Sequence, residues 1–498
     1  MKGWGGFKKS PFLKKMKNLK IVSFAIVIVF SLLSLCCCFD EGGTSSPDVK
    51  ESLSESTSET GKESDGKNYP EYDNDFKITF TAYAPVPTAL MNDDQFKNLS
   101  DAGFTKALGL YKGRVGLSEG MTESELDEKT AALKARVSAD AEKALGLSEK
   151  YNIEYYVFNE LIYNIERYTE NYDKHLKSML VGETYSASTA FKGHFIADEP
   201  SLAEMKKLVS VVDLYKKYMP KGEPFVNLLP CEDKKSQANY NAYLDYYFGN
   251  LAKKFGYVSF DHYPYGATDG IDDMYLWNLE EISERAKAAD VQKRGFVWSN
   301  LSANGYHRGI TSAADIRLQA YTNLAYGVDE MTYFVYSSNG DTDSKTNALI
   351  NFRTGAKSNA YTWAKSVNNE VRSFEKAYGA FEWKGVMAFG SNAQFNELTR
   401  NLASYERIKS VNSSFDALIG IFEDEDNEFD FGAKNAFMIV NFADPLGASG
   451  KKNIELEFND STKVLLYRNG KQEIVDLTNG KLSLDMAVGD GAFVIPFN

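Results

Sequence analysis

The chain has 498 residues, 43% of them hydrophobic, which is enough for more than one domain and a large core. Its formal net charge of −13 understates the imbalance, because beyond residue 37 there are 49 lysines and arginines against 69 acidic residues. So acidic a surface excludes nucleic acid and anionic lipid headgroups as partners. Past residue 38 a single cysteine remains, Cys231, so that stretch has no internal disulfide framework to form.

In chain order, seven lysines precede an apolar run from Ile21 to Leu35. A basic start before an apolar stretch too short for a comfortable membrane span reads as a secretory signal. Cys36, Cys37 and Cys38 follow at once and resemble a bacterial lipobox, with Cys38 the expected lipidation site and 1–38 the signal. The alternative is an uncleaved amino-terminal anchor with incidental cysteines. Residues 39–73 are rich in Ser, Glu and Gly and cannot bury enough apolar surface to fold, so they read as a tether. Together these features predict a globular body held by a lipid just outside a bacterial cell membrane, with no other membrane contact.

Over 74–381 strand-like and helix-like patterns alternate. Strands are predicted at Lys77–Tyr83, Phe104–Tyr111, Ile153–Phe158, Gly193–Ala197, Pro224–Leu229, Tyr257–Asp261, Gly295–Trp298 and Met331–Tyr336. The clearest helices are Glu123–Leu147, Leu202–Tyr218, Asn239–Phe255, Met274–Ala289 and Ala313–Leu324, and a last one runs from Ala356 to Tyr378. Strand-helix repetition of this kind is the pattern of a (β/α)8 TIM barrel within the α/β class. A doubly wound sheet is disfavoured, because no G-x-G-x-x-G follows the first strand. From 382 to 498 short strands take over, with Asn469-Gly470 and Asn479-Gly480 marking tight hairpins, which predicts a smaller antiparallel β-sandwich.

The stretch F-K-G-H-F-I-A-D-E-P-S, Phe191 to Ser201, concentrates the chemistry. An apolar strand stops at Asp198-Glu199-Pro200, and Ser201 with Glu204 forms the S-x-x-E box that opens the next helix. Ser201 does the capping, so Asp198 and Glu199 are not needed for it and stand at the carboxyl end of a strand, where barrels place their reactions. Other strand ends supply Tyr83, Asn159-Glu160, Asp261-His262-Tyr263-Pro264-Tyr265, Trp298-Ser299-Asn300 and Tyr336. There is no nucleophile elbow, P-loop or H-E-x-x-H, and neither a cofactor nor a metal is called for. Carboxyl groups among aromatic rings are what glycosidic cleavage needs: one protonated group to donate, one ionised group to attack or to activate water, and flat faces on which sugars stack.

The strand ending in Asp-Glu-Pro, the run S-F-D-H-Y-P from Ser259 to Pro264, and the appended sandwich resemble secreted bacterial (β/α)8 glycoside hydrolases of the β-galactosidase and cellulase-like clan. That resemblance implies an oligo- or polysaccharide substrate and makes Glu199 the general acid/base, with Asp198 standing where the clan has Asn. The clan's nucleophile is a Glu at the end of strand seven. Here that position reads Phe296-Val297-Trp298-Ser299-Asn300, with no carboxylate. Asp261 is the first substitute and Glu160 the second, with Asp341 and Asp343 further candidates. Tyr83, His262, Tyr263, Tyr265, Trp298, Asn300 and Tyr336 are the expected substrate-binding residues. Several have structural alternatives: an Asp261–His262 pair that only orders its loop, Glu160 spent on a helix cap, Trp298 as core. The rival to an enzyme is a carbohydrate-binding lipoprotein on a hydrolase-like barrel that does not turn over.

Overall fold

The computed structural model describes residues 69–109, 121–266, 270–300, 307–337, 348–425 and 432–498. Cys38, the signal, most of the tether, and Asp341 and Asp343 lie outside the described residues.

The body opens with β1 (Thr79–Tyr83), α1 (Asp93–Asp101), β2 (Lys106–Leu108), α2 (Glu123–Lys150), β3 (Glu154–Val157) and α3 (Tyr172–Leu180). Next come β4 (Phe191–Asp198), α4 (Leu202–Tyr218), β5 (Glu223–Asn227), α5 (Gln237–Asn250), the short α6 (Ala252–Phe255) and β6 (Tyr257–Ser259). The series ends with α7 (Tyr275–Ala289), β7 (Gln292–Trp298), α8 (Ala313–Ala325), β8 (Glu330–Phe334), α9 (Asn359–Arg372) and α10 (Glu375–Tyr378). The strands form one parallel sheet in the order β5-β4-β3-β2-β1-β8-β7-β6. It closes between β5 and β6 through the parallel bridge Leu228–Phe260, with the Leu228 N–H donating to the Ser259 carbonyl at 2.8 Å. This is a TIM barrel. Gly193, at φ +156°, lets β4 pass close to β5, since a Cβ there would lie 1.8 Å from the Glu223 carbonyl oxygen.

Ion pairs hold part of the barrel interior. Glu330, fully buried, takes Lys106 at 2.6 Å and Arg294 at 3.3 Å, and Arg294 reaches Glu223 at 2.7 Å. Thr81 donates to the other oxygen of Glu330 at 2.6 Å, so the buried charges are paired and hydrogen-bonded together.

After the barrel, β9 (Glu382–Phe389), β10 (Ile408–Ser413), β11 (Ala417–Glu423), β12 (Asn435–Asn441), β13 (Lys451–Phe458), β14 (Lys463–Arg468), β15 (Lys471–Asp476), β16 (Lys481–Ala487) and β17 (Gly491–Phe497) build the antiparallel sandwich. One sheet runs β15-β14-β17-β12-β11-β9 and the other β10-β13-β16. Alternation along β12 sends Phe437 and Ile439 into the core between the sheets, while Met438 and Val440 face the barrel. There Trp383 donates its indole N–H to the Ala325 carbonyl at 2.9 Å, and Phe374 stacks on Phe493 with centroids 5.6 Å apart. Gly420 permits the contact, because a Cβ would meet the Ala325 carbonyl oxygen at 2.3 Å. Asn469-Gly470 and Asn479-Gly480 each take positive φ at both residues, the geometry of the predicted hairpins.

Candidate active site

The site is assembled at the carboxyl ends of β4, β5 and β6. Asp198 is the last residue of β4, and Glu199 follows in a left-handed conformation (φ +45°). That turn is splinted from the loop after β3. The Asp198 N–H donates to Asn164 Oδ1 at 3.1 Å, and Arg167 Nη2 donates to the Asp198 carbonyl at 3.3 Å. From β5, the Asn227 carbonyl accepts the Glu199 N–H at 2.9 Å. Ser201 caps α4 with Glu204 completing the box, so both acidic side chains are free of capping duty.

Asn227 ties the carboxyl groups together. Its Nδ2 donates to Asp261 Oδ1 at 2.7 Å and reaches Asp198 Oδ1 at 3.5 Å. Its own Oδ1 accepts the Ser259 hydroxyl at 3.0 Å, which fixes the amide with its donors toward the acids. Tyr163 reaches the other oxygen of Asp198 at 3.4 Å. Asp198 and Asp261 are half-buried, whereas Glu199 is exposed. Enclosure by protein, then the charge of Glu199, pushes Asp198 up from 3.8 to about 7, against the opposing bonds from Asn227 and Tyr163. Enclosure, then Glu199 and Asp198, pushes Asp261 up as well. Burial and the charges of Asp198, Asp261 and Glu199 together keep the Tyr83 and Tyr263 phenols protonated, so both rings belong to the cluster.

The aromatic wall joins these tyrosines to Phe334, whose ring centroid lies 5.0 Å from Tyr83 and 5.7 Å from Tyr263. Tyr163, Tyr263 and Phe334 remain partly exposed. Asn300, at the rim after β7, is also partly exposed, and its carbonyl accepts the Ile310 N–H at 3.2 Å.

Five expected residues are placed elsewhere. Glu160 pairs with Arg136 of α2 at 3.5 Å and lines a small cleft with Val137, Asp140 and Phe158. His262 turns toward α7, with Nε2 3.1 Å from Asp272 and Nδ1 2.9 Å from the Asn278 amide. Tyr265 is buried, donating to the Asp315 carbonyl at 2.6 Å beneath the Arg308 guanidinium. Trp298 is 1% exposed and spends its indole N–H on the Arg308 carbonyl at 3.0 Å, so it backs Phe334 and Tyr263 without forming an open platform. Tyr336 is fully buried against Phe104, and Phe334, two residues earlier, holds the mouth position at β8. In each case a packing or hydrogen-bond partner outside the cleft claims the side chain.

Sequence reasoning misses Asn227, Tyr163 and Phe334. Asn227 ends β5, so the strand-end rule could have found it; Tyr163 sits in a loop that no periodicity locates.

No family model matches the sequence, and no curated protein matches it. Solved structures do resemble it. A glycoside hydrolase, 11% identical, superposes with a TM-score of 0.50 over 85% of this chain and 93% of its own. A glycoside hydrolase family 5 protein from Bacteroides vulgatus, 11% identical, gives 0.51 over 85% and 90%. Likeness at this identity shows the fold alone: a (β/α)8 barrel followed by a sandwich.

Proposed function

We propose that the protein is a glycoside hydrolase that cleaves oligo- or polysaccharide through Asp198 and Glu199, with Asp261 beside them. The observation that carries this reading is the gathering of three acidic residues at one barrel mouth, with Asp198 and Asp261 bridged by the Asn227 amide, Glu199 held by the Asn227 carbonyl, and Tyr83, Tyr163, Tyr263 and Phe334 beside them. Roles follow from environment. Enclosed Asp198, held at about 7, is still protonated in about half of the molecules at neutral pH, which suits it to donate to the leaving oxygen. Glu199, exposed at the mouth, is the partner that attacks the anomeric carbon or activates water. This reverses the roles the family resemblance implies, because enclosure falls on Asp198. The lipobox-like cysteines and the tether further support a surface lipoprotein anchored at Cys38.

An aryl-glycoside screen of the full chain beside Asp198→Asn and Glu199→Gln tests the reading. Cleavage should fall at least about 100-fold in each variant, the loss typical of a removed acid or base. Wild-type kcat/KM should decline as pH rises through about 7, as Asp198 loses its proton, and that limb should vanish in Asp198→Asn. Product stereochemistry then reports the carboxyl spacing: retention for about 5–5.5 Å, inversion for about 6.5–9.5 Å. The second reading, a binding protein without turnover, draws on the end of β7, where Trp298 replaces any carboxylate. Glycan binding without cleavage in all three proteins would select it.

A further inference from the structure

The sandwich meets the barrel along α8, and the contact has two ends. Far from the mouth, Gly420 lies against the backbone of Ala325, the last residue of α8. At the mouth end, the loop between β12 and β13 brings in one carboxylate, Asp444. Its Oδ2 accepts the Gly270 N–H at 2.7 Å, in the loop after β6, and its Oδ1 accepts Arg308 Nη2, in the loop after β7. The side chains of Arg308 and Asp444 are only 8% and 10% exposed. Stability alone is a poor reason for such a pair, because a buried ion pair roughly offsets its own desolvation.

What the two loops carry is the backing of the aromatic wall. The Arg308 carbonyl accepts the Trp298 indole N–H at 3.0 Å, and the Arg308 N–H donates to the Gly266 carbonyl at 2.9 Å. The Arg308 guanidinium lies 3.9 Å from the Tyr265 ring centre and donates to Asp315 at 2.7 Å as well as to Asp444. Trp298 in turn stacks behind Phe334, with centroids 6.0 Å apart, and lies 5.1 Å from Tyr263. His307, next to Arg308, packs on Tyr263 and Trp298 at 5.3 and 5.2 Å. Arg308 is the hub of these contacts, and Asp444 holds it from outside the barrel.

From the bonds of one sandwich carboxylate to both loops behind the wall, we propose that Asp444 is a positioning residue, setting Tyr263 and Phe334 for the ligand through Arg308 and Trp298. The inference rests on the glycoside hydrolase reading only for the ligand being a sugar. Asp198 and Glu199 are splinted by Asn164 and Asn227, outside this chain of contacts. Asp444 therefore acts on binding and not on proton transfer. Gln394, in the turn after β9, meets the Ile271 carbonyl and the Leu276 N–H at 3.4 Å each, so the sandwich stays docked when Asp444 is replaced.

Aryl-glycoside kinetics and amide hydrogen exchange on the full chain test this in Asp444→Ala and Asp444→Asn. Gly420→Ala, which disturbs the far end of the same contact, is the control. In Asp444→Ala kcat/KM should fall about 10- to 100-fold, the scale of a displacement of about 1 Å. Most of that loss should be in KM, with the limb near pH 7 unmoved. Asp444→Asn keeps an acceptor oxygen and should lose less, and Gly420→Ala should leave KM unchanged. Without ligand, the amides of Asp272 and Arg308, which bond the Pro264 and Gly266 carbonyls, should exchange faster in Asp444→Ala. Those of β4 and β12 should keep their wild-type rates. An unchanged KM in Asp444→Ala, the same rise in Gly420→Ala, or exchange that is unchanged or faster throughout the molecule overturns the proposal. If the wild type cleaves nothing, the hydrolase reading falls, and the exchange result alone decides the role of Asp444.

Discussion

Asp198→Asn should make the protein more stable at pH 8 and change it little at pH 4. The ordinary aspartate value is 3.8, and the fold raises Asp198 to about 7. Between those values the native state keeps a proton that the unfolded chain has lost, so stability falls as pH rises through the window and levels off above it. At about 1.4 kcal/mol per pH unit, a gap of roughly three units corresponds to about 4 kcal/mol. Asp198 still touches solvent and shares its titration with Glu199 and Asp261, so about half of that, about 2 kcal/mol, is the expected gain. The amide loses little in exchange, since the contacts of the carboxylate with Tyr163 and Asn227 are long, at 3.4 and 3.5 Å. Urea unfolding of both proteins at pH 4, 6 and 8 measures the difference, which should grow from near zero to about 2 kcal/mol. A variant that is destabilised equally at all three pH values, or stabilised most at pH 4, refutes the electrostatic argument.

Three other substitutions probe the scaffold. His194 lies between Tyr185 at 2.9 Å and Tyr215 at 2.8 Å, all buried, so His194→Leu strands two phenols and should cost about 2–4 kcal/mol in urea unfolding. Burial lowers that imidazole from 6.5 to about 3, so the wild type should lose stability as pH falls through this range and the variant should lose less. Glu330→Gln leaves Lys106 and Arg294 without their buried counter-charge and should cost about 3–5 kcal/mol, a cost below about 1 kcal/mol counting against the ion pairs described here. Gly420→Ala drives a methyl into the Ala325 backbone and should cost about 1–3 kcal/mol, read as a lowered melting temperature.

Asp198 and Glu199 are legible in the sequence because the adjacent Ser201 and Glu204 satisfy the helix start, which leaves the acids unassigned. The barrel is legible because buried parallel strands and amphipathic helices write different periods. Side-chain direction is not. Beyond the end of a strand alternation no longer fixes which way a ring faces, and β6 ends at Ser259 and β8 at Phe334, short of Tyr265 and Tyr336. Tyr265 and Tyr336 have the right residue type and the wrong direction, while Phe334, short of the predicted strand end, takes the mouth. Asn227 hides before Leu228 and Leu229, which continue the apolar run past the observed end of β5. In the sandwich, β10 (I-K-S-V-N-S) is not legible as a strand, because a sparsely apolar strand resembles a loop.

The closure of the barrel gives Asn227 a mechanical meaning. Among the described residues the backbones of β5 and β6 pair only through the bridge Leu228–Phe260, and the Tyr257 hydroxyl spans the same seam to the Val226 N–H and the Pro224 carbonyl, both at 2.9 Å. The Asn227 side chain crosses that seam twice, to Ser259 and to Asp261. The hydrogen bonds that gather the acids are therefore also rivets of the barrel wall, and a ligand that spreads the acids must load the joint. The Asn227 amide thus serves both the mouth and the wall, so a change in the shape of what is bound reaches the scaffold through it.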